Sequence, residues 1–487
     1  MGNDIINKTK SATKWSVLTE LAAKLVSPIS SMVLARLLTP SAFGIIVTAL
    51  MVISFAEIFT DAGFQKYIIQ HQFKSEDDLY KSTTVAFWTN LMLSCVIWLV
   101  IIVFSIPIAK LVGSEGHADV IVVSCACIPL AAFSSIQMAI FKRKLDFKTL
   151  FKVRMVGIVT PLVVTIPLAY ITRSFWALVI GMLAREIVNV ILFSISCTWK
   201  PKLYYSFNRL KLMFSFTVWT LIESITIWLT GYVDIFLVSS LLSSHYLGLY
   251  RTSMTTVNSI LALIASATTP ILFSALSRLQ DDRKEYAAMF YKYQKMVSVA
   301  LIPLGTVMYI FRDFVTEILL GNQWMETAYF IGIFSLLLPL KILISDYSSE
   351  VCRSLGRPMI SVYRQLFMMI VILIMVAISV KVNYKFLCQM RTISMFGGIL
   401  SGFYVLYMLV DFNPFVVLRN ILPASLGALV MVLLSNIMPI SSNNIIVLFC
   451  YGILIILFYL LFIMFFPEER YYLKLVYKLA NRKQFLH

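Results

Sequence analysis

Glu20, Lys24 and Pro28 stand at i, i+4 and i+8, so on a helix they share one face. They lie in an otherwise apolar run that opens at Trp15, and Lys24 falls about 14 Å along it. Pro28 removes the bond that would engage the Lys24 carbonyl and bends the helix there. Comparable charges stand at Arg36 in the same run and, in later apolar runs, at Glu57 and Asp61, Arg185 and Glu186, Glu223, Asp234, Arg251, Lys341, Asp346 and Glu350. In hydrocarbon each costs roughly 2.5–3.5 kcal/mol on insertion scales, so each calls for a partner, water or a ligand path. Cations at intermediate depth suit an anionic head group, which nominates Lys24, Arg36, Arg185, Arg251 and Lys341. Carboxylates in low dielectric exchange a proton or hold Na⁺, which nominates Glu20, Glu223 and Asp234 for ion coupling, with Pro28 as a helix kink. A self-satisfied Glu20–Lys24 pair is the bland alternative, and snorkelling is the bland alternative for Arg36, Asp61 and Glu350. Trp88, Trp98, Trp219 and Trp228 are candidates to stack on sugar rings, against ordinary packing.

The elements that must carry these residues are membrane helices. The chain has 487 residues, is 60% hydrophobic and 13% charged, and has mean hydropathy +0.86, which excludes a soluble globular protein. A span needs roughly 20 apolar residues. About fourteen such stretches are present, near 15–38, 42–65, 84–106, 119–141, 154–172, 175–197, 213–238, 246–274, 296–316, 326–350, 359–380, 387–410, 415–436 and 445–466. The first is not a secretory signal, since it carries Glu20 and Lys24 and lacks a cleavage site.

The net charge of +17 is a topology signal rather than a nucleic-acid footprint. With the N-terminus in the cytoplasm, 30 of the 41 Lys and Arg fall on cytoplasmic segments, the positive-inside pattern. Both termini are then cytoplasmic. The seven cysteines lie mostly within or at the ends of spans with neither disulfide nor zinc spacing, and no metal or cofactor is expected. No phosphate-binding glycine loop is present.

The chain repeats itself. At an offset of 204, Trp15 falls on Trp219, Leu37-Leu38 on Leu241-Leu242 and Gly44 on Gly248. A second trace pairs Pro129-Leu130, ending in FKRKLDFK (141–148), with Pro339-Leu340, ending in VCRSLGRP (351–358). The two traces imply a parallel repeat about an axis along the membrane normal. The charges do not follow it: Lys24 and Pro28 fall on Trp228 and Tyr232. The expected division is an N-terminal lobe over 1–198, a cytoplasmic linker over 199–212, a C-terminal lobe over 213–410, two further spans over 411–466, and a basic tail over 467–487. In that tail Lys474, Lys478 and Arg482 share a helix face, which suits an anionic membrane surface or a solvated tail alike.

LARLLTPSAFG (34–44), DAGFQKYIIQ (61–70), SSIQMAIFKRKLDFK (134–148), LLSSHYLGLYRTS (241–253) and FSALSRLQDD (273–282) resemble the bacterial polysaccharide transporter family over about residues 10–365. That family contains Wzx-like flippases for O-antigen and exopolysaccharide, within the multidrug/oligosaccharidyl-lipid/polysaccharide exporter superfamily. CRSLGRP departs from the family's small, apolar run before the glycine. The resemblance implies an all-α integral membrane fold with two pseudo-symmetric six-helix lobes around a central cavity, plus two C-terminal helices. Spans 1, 2, 7 and 8 would line the cavity, bringing Lys24, Arg36, Glu223 and Arg251 toward it. Spans 13 and 14 would hold a lipid tail. The implied activity is translocation of an undecaprenyl-diphosphate-linked oligosaccharide across the bacterial inner membrane, not catalysis. Implied partners are that lipid-linked oligosaccharide, membrane lipids and polysaccharide assembly proteins. A membrane-embedded polymerase or ligase would need a large outer loop with a nucleophile–base pair, and neither is visible. A drug exporter of the same superfamily, favoured by twelve spans, and a non-transporting scaffold stay open.

Overall fold

The computed structural model describes residues 28–60, 64–410, 412–437 and 445–470, with Trp15, Thr19, Ala22, Ala23 and Val26. Glu20, Lys24, Asp61 and the tail beyond 470 lie outside the described residues; Glu223 lies within a helix, its side chain outside them. Among the described residues the secondary structure is helical throughout, without strands.

Residues Met1–Arg251 and Thr252–His487 form two compact units. The first holds α1 (Pro28–Leu37), α2 (Pro40–Thr60), α3 (Phe64–Gln70), α4 (Glu76–Val103), α5 (Ser105–Leu111), α6 (Ala118–Cys125), α7 (Cys127–Arg143), α8 (Phe147–Thr160), α9 (Ile166–Thr172), α10 (Trp176–Ser196), α11 (Phe207–Leu241) and the first turns of α12 (Ser244–Arg278). The second holds the rest of α12, then α13 (Arg283–Ile310), α14 (Arg312–Leu319), α15 (Ala328–Lys341), α16 (Tyr347–Ser354), α17 (Pro358–Ser379), α18 (Tyr384–Val410), α19 (Pro414–Ile437) and α20 (Ile445–Ile463).

Among the described residues ten helices are long and apolar enough to cross a membrane, or twelve if two bent pairs each count as one span. Among the described residues the first and last stretches read from sequence are represented by shorter apolar helices, Pro28–Leu37 and Val447–Ile463. Side chains such as Ile171 (75% exposed), Ile195 (76%) and Phe415 (80%) face outward, as expected where the solvent is lipid. This is a multi-pass membrane protein.

Polar side chains start the helices at loops. Ser75 accepts from the Asp78 amide ahead of Glu76, Asp77 and Asp78, so cap and acidic first turn both favour the α4 N-terminus. Asp146 caps α8 through the Thr149 amide, and Asp282 caps α13 through the amides of Lys284 and Glu285. Two spans carry a π-helical turn, at Pro161–Thr165 and Ile342–Asp346, and α13 turns by 85° into α14. A π turn inserts a residue and re-aims the side chains of the helix beyond it.

One core cluster of the first unit is rich in aromatic rings: Phe87 meets Phe133 and Trp199 edge-on at 5.1 and 5.7 Å, beside buried Phe64, Phe141 and Phe193. The 199–212 segment is fastened to this unit. Trp199 enters its core, Tyr80 Oη and Trp88 Nε1 donate to the carbonyls of Lys200 and Lys202 at 2.6 and 2.9 Å, and Arg209 pairs with Asp78. α11 packs on α2, α3 and α4, and the first unit runs on to Arg251. In the second unit α13 packs on α15 and α19, α17 on α18, and α19 on α20.

The repeat glycines meet. A Cβ on Gly44 would lie 1.8 Å from the Ser244 carbonyl oxygen, and one on Gly248 would lie 1.9 Å from that of Pro40. Pro40 and Ser244 open α2 and α12, four residues before each glycine. The contact is therefore reciprocal, with each helix start seated where the other helix lacks a side chain. Gly44→Ala and Gly248→Ala are each expected to cost about 1–3 kcal/mol or more, because backbone rather than a flexible side chain must move. Gly231→Ala in α11, where a Cβ meets nothing within 4 Å, is expected to be neutral or to add up to about 1 kcal/mol through helix propensity. Thermal unfolding of the purified protein in detergent checks both; equal stability of all three variants would refute the close crossing.

Candidate functional site

Of the residues nominated for chemistry, Asp234 and Arg251 lie on the neighbouring helices α11 and α12, each with a partner on the other helix. Asp234 lies in α11, seven residues before its end at Leu241, or about 10 Å along the axis. It is only 3% exposed. Its Oδ2 accepts from the Tyr250 hydroxyl at 2.9 Å and its Oδ1 from the Ile235 amide at 2.8 Å. Tyr250 is fully buried on α12, so the bond joins α11 to α12 across the short turn at Leu242 and Ser243. The next residue, Arg251, is half-buried, with its guanidinium 5.8 Å from the centre of the Tyr232 ring. Tyr232 stacks on Trp228 at 5.3 Å, and Trp228 packs on Phe55 at 4.8 Å while its indole donates to Ser54 Oγ at 3.0 Å. The spacing 228, 232 places both rings on one face of α11. The result is an aromatic ladder on one face of α11 with a cation at one end, while Asp234, two residues beyond Tyr232, meets α12 through Tyr250. It can hold an anionic ligand through Arg251 and exchange a cation at Asp234.

Arg185 occupies a different place. Mid-helix in α10, it lies 3.8 Å from Glu186, which also accepts from Asn189 Nδ2 at 3.3 Å. Arg185 and Asn189 line a cavity of about 360 Å³ with Lys142, Arg154, Gly157 and Thr19. Arg36 is exposed at the end of α1, and Pro28 is half-buried. Two of the tryptophans are fastened to backbone: Trp98 Nε1 donates to the Val122 carbonyl at 3.0 Å, as Trp88 does to that of Lys202. The Trp219 side chain lies outside the described residues.

In the second unit Lys341 pairs with Asp346 at 2.8 Å across the π turn, and Glu350 with Arg353 at 3.2 Å. Sequence alone does not single out Arg364 of α17, which is 7% exposed and donates to Ser345 Oγ and Ser349 Oγ. By position it counts only toward cytoplasmic charge. The available signal is Ser345 and Ser349 at i, i+4, a pair of hydroxyls facing one way within an apolar run. Gly402 of α18 allows the approach, since a Cβ there would sit 3.0 Å from the Ile344 carbonyl oxygen. Separately, α19 and α20 line an apolar crevice of about 510 Å³ that includes Val430, Phe458 and Phe462.

A hydrogen bond to a charged group contributes about 1.5–3 kcal/mol. Tyr250→Phe is therefore expected to destabilise the protein by that amount. Combined with Asp234→Asn it should cost clearly less than the two single losses together, because the partners are in contact. A double-mutant cycle on thermal unfolding measures this, and strict additivity would refute the Asp234–Tyr250 bond.

The polysaccharide biosynthesis protein family matches residues 33–329 of this chain. The chain is 25% identical over 326 residues to a Klebsiella pneumoniae protein described as an uncharacterized membrane protein in the cps region, covering 65% of each. It is 21% identical over 323 residues to the succinoglycan biosynthesis transport protein ExoT of Rhizobium meliloti (strain 1021), covering 66% of this chain and 64% of that one. The chain thus spans about two-thirds of the length of the curated relatives it matches. Its fold is similar to that of the lipid II flippase MurJ in an inward closed conformation, with TM-score 0.73 and 16% identity over 92% of this chain and 98% of that one. The match over 33–329, more than half of the sequence, shows that the chain belongs to the polysaccharide biosynthesis protein family.

Proposed function

We propose that the protein is a flippase that carries a polyprenyl-diphosphate-linked oligosaccharide, an O-antigen or exopolysaccharide repeat unit, from the cytoplasmic to the outer leaflet of the bacterial inner membrane. Both termini then lie in the cytoplasm. The observation that carries the reading is the family match, which runs through the helices bearing Asp234, Tyr250 and Arg251. Likeness to a succinoglycan biosynthesis transport protein and to a lipid II flippase supports the same class of cargo.

The diphosphate is paired by Arg251, with Lys24, Arg36 and Arg185 as further cations of the substrate set within the first unit. Lys341, a candidate in the second unit, is held by Asp346. The Tyr232–Trp228 stack offers a flat apolar surface to a sugar ring. The crevice between α19 and α20 suits the polyprenyl tail, being almost wholly apolar. The site is exposed to one side of the membrane and then the other, so that a bound head group is released across the bilayer. An H⁺ or Na⁺ gradient biases the cycle through Asp234, Glu20 and Glu223. A cation held at Asp234 competes with the Tyr250 hydroxyl for Oδ2, which couples ion binding on α11 to its hold on α12.

The protein is to be purified and placed in liposomes loaded with a lipid-linked oligosaccharide, and glycan appearance at the opposite leaflet read with an impermeant lectin. Wild type should transfer it. Asp234→Asn, which keeps an acceptor for Tyr250, should slow gradient-driven transfer by about tenfold or more and remove its response to the ion gradient. Arg251→Gln should weaken substrate affinity by a similar factor. Absence of transfer by the wild type would end the flippase reading, whereas full gradient response in Asp234→Asn would end only the coupling role.

A further inference from the structure

Arg364 is unusual among the described cations. It is only 7% exposed, yet it donates to hydroxyls, Ser345 Oγ and Ser349 Oγ, the latter at 2.5 Å, rather than to a carboxylate. Its Nε has no hydrogen-bond partner. The neighbouring carboxylates are engaged elsewhere, Asp346 by Lys341 and Glu350 by Arg353. A buried guanidinium arranged this way retains an unanswered donor and shares Asp346, the carboxylate whose field reaches it, with Lys341, a condition that an anionic ligand relieves.

Arg364 also lines a groove of about 470 Å³ between α17 and α18, with Tyr363, Phe367, Leu400, Ser401 and Tyr404. Leu400 is 67% and Tyr404 63% exposed, on helices long and apolar enough to cross the bilayer, so the groove opens toward lipid. Arg364 stands six residues into α17, about 9 Å from its start, near the depth of lipid esters and phosphates. Tyr363 and Tyr404 lie at the same end of the antiparallel pair and suit that interfacial zone. Arg353 and Arg357, exposed just before α17, add positive charge at the same end.

We propose that this groove is a specific site for one anionic glycerophospholipid, with an acyl chain along Phe367 and Leu400 and the phosphodiester on Arg364. The walls favour a phospholipid over a glycan-bearing diphosphate: apart from Arg364, Ser401 and the two tyrosine hydroxyls, they offer a sugar nothing to bond. The bound lipid would brace the π turn at Ile342–Asp346, because the serines that hold Arg364 lie on and just after that turn.

The test uses the full-length protein equilibrated with vesicles of phosphatidylglycerol and phosphatidylcholine, then extracted and measured by native mass spectrometry. Wild type should retain one phosphatidylglycerol in preference to phosphatidylcholine and gain thermal stability from it. Arg364→Gln should reduce retention by about tenfold or more. Ser401→Phe, which fills the groove and leaves Arg364 in place, should do the same, and it decides the matter should Arg364→Gln fail to fold. Undiminished retention in Ser401→Phe, or in a folded Arg364→Gln, overturns the site, as does equal retention of the two lipids. Displacement of phosphatidylglycerol from wild type by polyprenyl diphosphate at equal concentration also overturns it. Transport is not read, so the flippase proposal stands or falls separately.

Discussion

At Gly44 and Gly248 two backbones touch with no side chain between them, and much of the first unit depends on that contact. In lipid the hydrophobic effect does little to hold helix against helix, since hydrocarbon solvates leucine as well as another leucine does. Association then rests on close backbone approach and on polar groups satisfying one another. The crossing supplies the first. It fixes the start of α12 against the start of α2, and because α11 is joined to α12 by a two-residue turn, it also limits where α11 can lie. The Asp234–Tyr250 bond supplies the second, on the same pair of helices. Site geometry is thus a consequence of a steric absence close by on the same helices.

The second unit solves the same problem with a break in a helix. A span of regular α-helix would place Lys341, Ser345 and Ser349 at four-residue intervals on one stripe. The π turn at Ile342–Asp346 inserts a residue within that stripe and brings Asp346 within 2.8 Å of Lys341. The serines remain for Arg364, and Gly402 lets α18 close over the turn. Charges that would each be costly alone become tolerable as a set, and removing one partner of such a set costs roughly 3–5 kcal/mol because the other stays buried.

Much of the helical layout was legible in the sequence because a bilayer imposes one length and one composition on every span. The repeat was legible through its glycines for a physical reason: they are the positions where only one residue type fits. Leucines elsewhere in the repeat carried little information, since many apolar side chains fill the same space. The site was legible in part. Charge within apolar runs exposed Asp234, Arg251, Arg185 and Lys341, because insertion cost makes such residues rare. Their partners were not, as Tyr250 and the two serines are unremarkable in type and become partners only through helix rotation and register. Arg364 was hidden by its position, near enough to a span end to count as cytoplasmic charge while its side chain turns inward. Helix breaks were hidden too: Pro161 marks one π turn, but Ile342–Asp346 has no proline within it, and Pro339 lies three residues ahead.

Symmetric scaffold and unsymmetric chemistry follow from the same facts. At the offset of 204 that superposes Gly44 on Gly248, Asp234 falls on Ser30, Tyr250 on Ile46 and Arg251 on Val47. A reciprocal contact constrains both of its members, because each glycine accommodates the other helix's first carbonyl, and a change in either is felt by both. A carboxylate and its hydroxyl partner are constrained only by each other. Duplicating them at Ser30 and Ile46 would add a second buried charge to be compensated, with no steric demand for it. The backbone crossing is therefore held to the repeat, while the buried carboxylate and its partners are free to be concentrated on one copy.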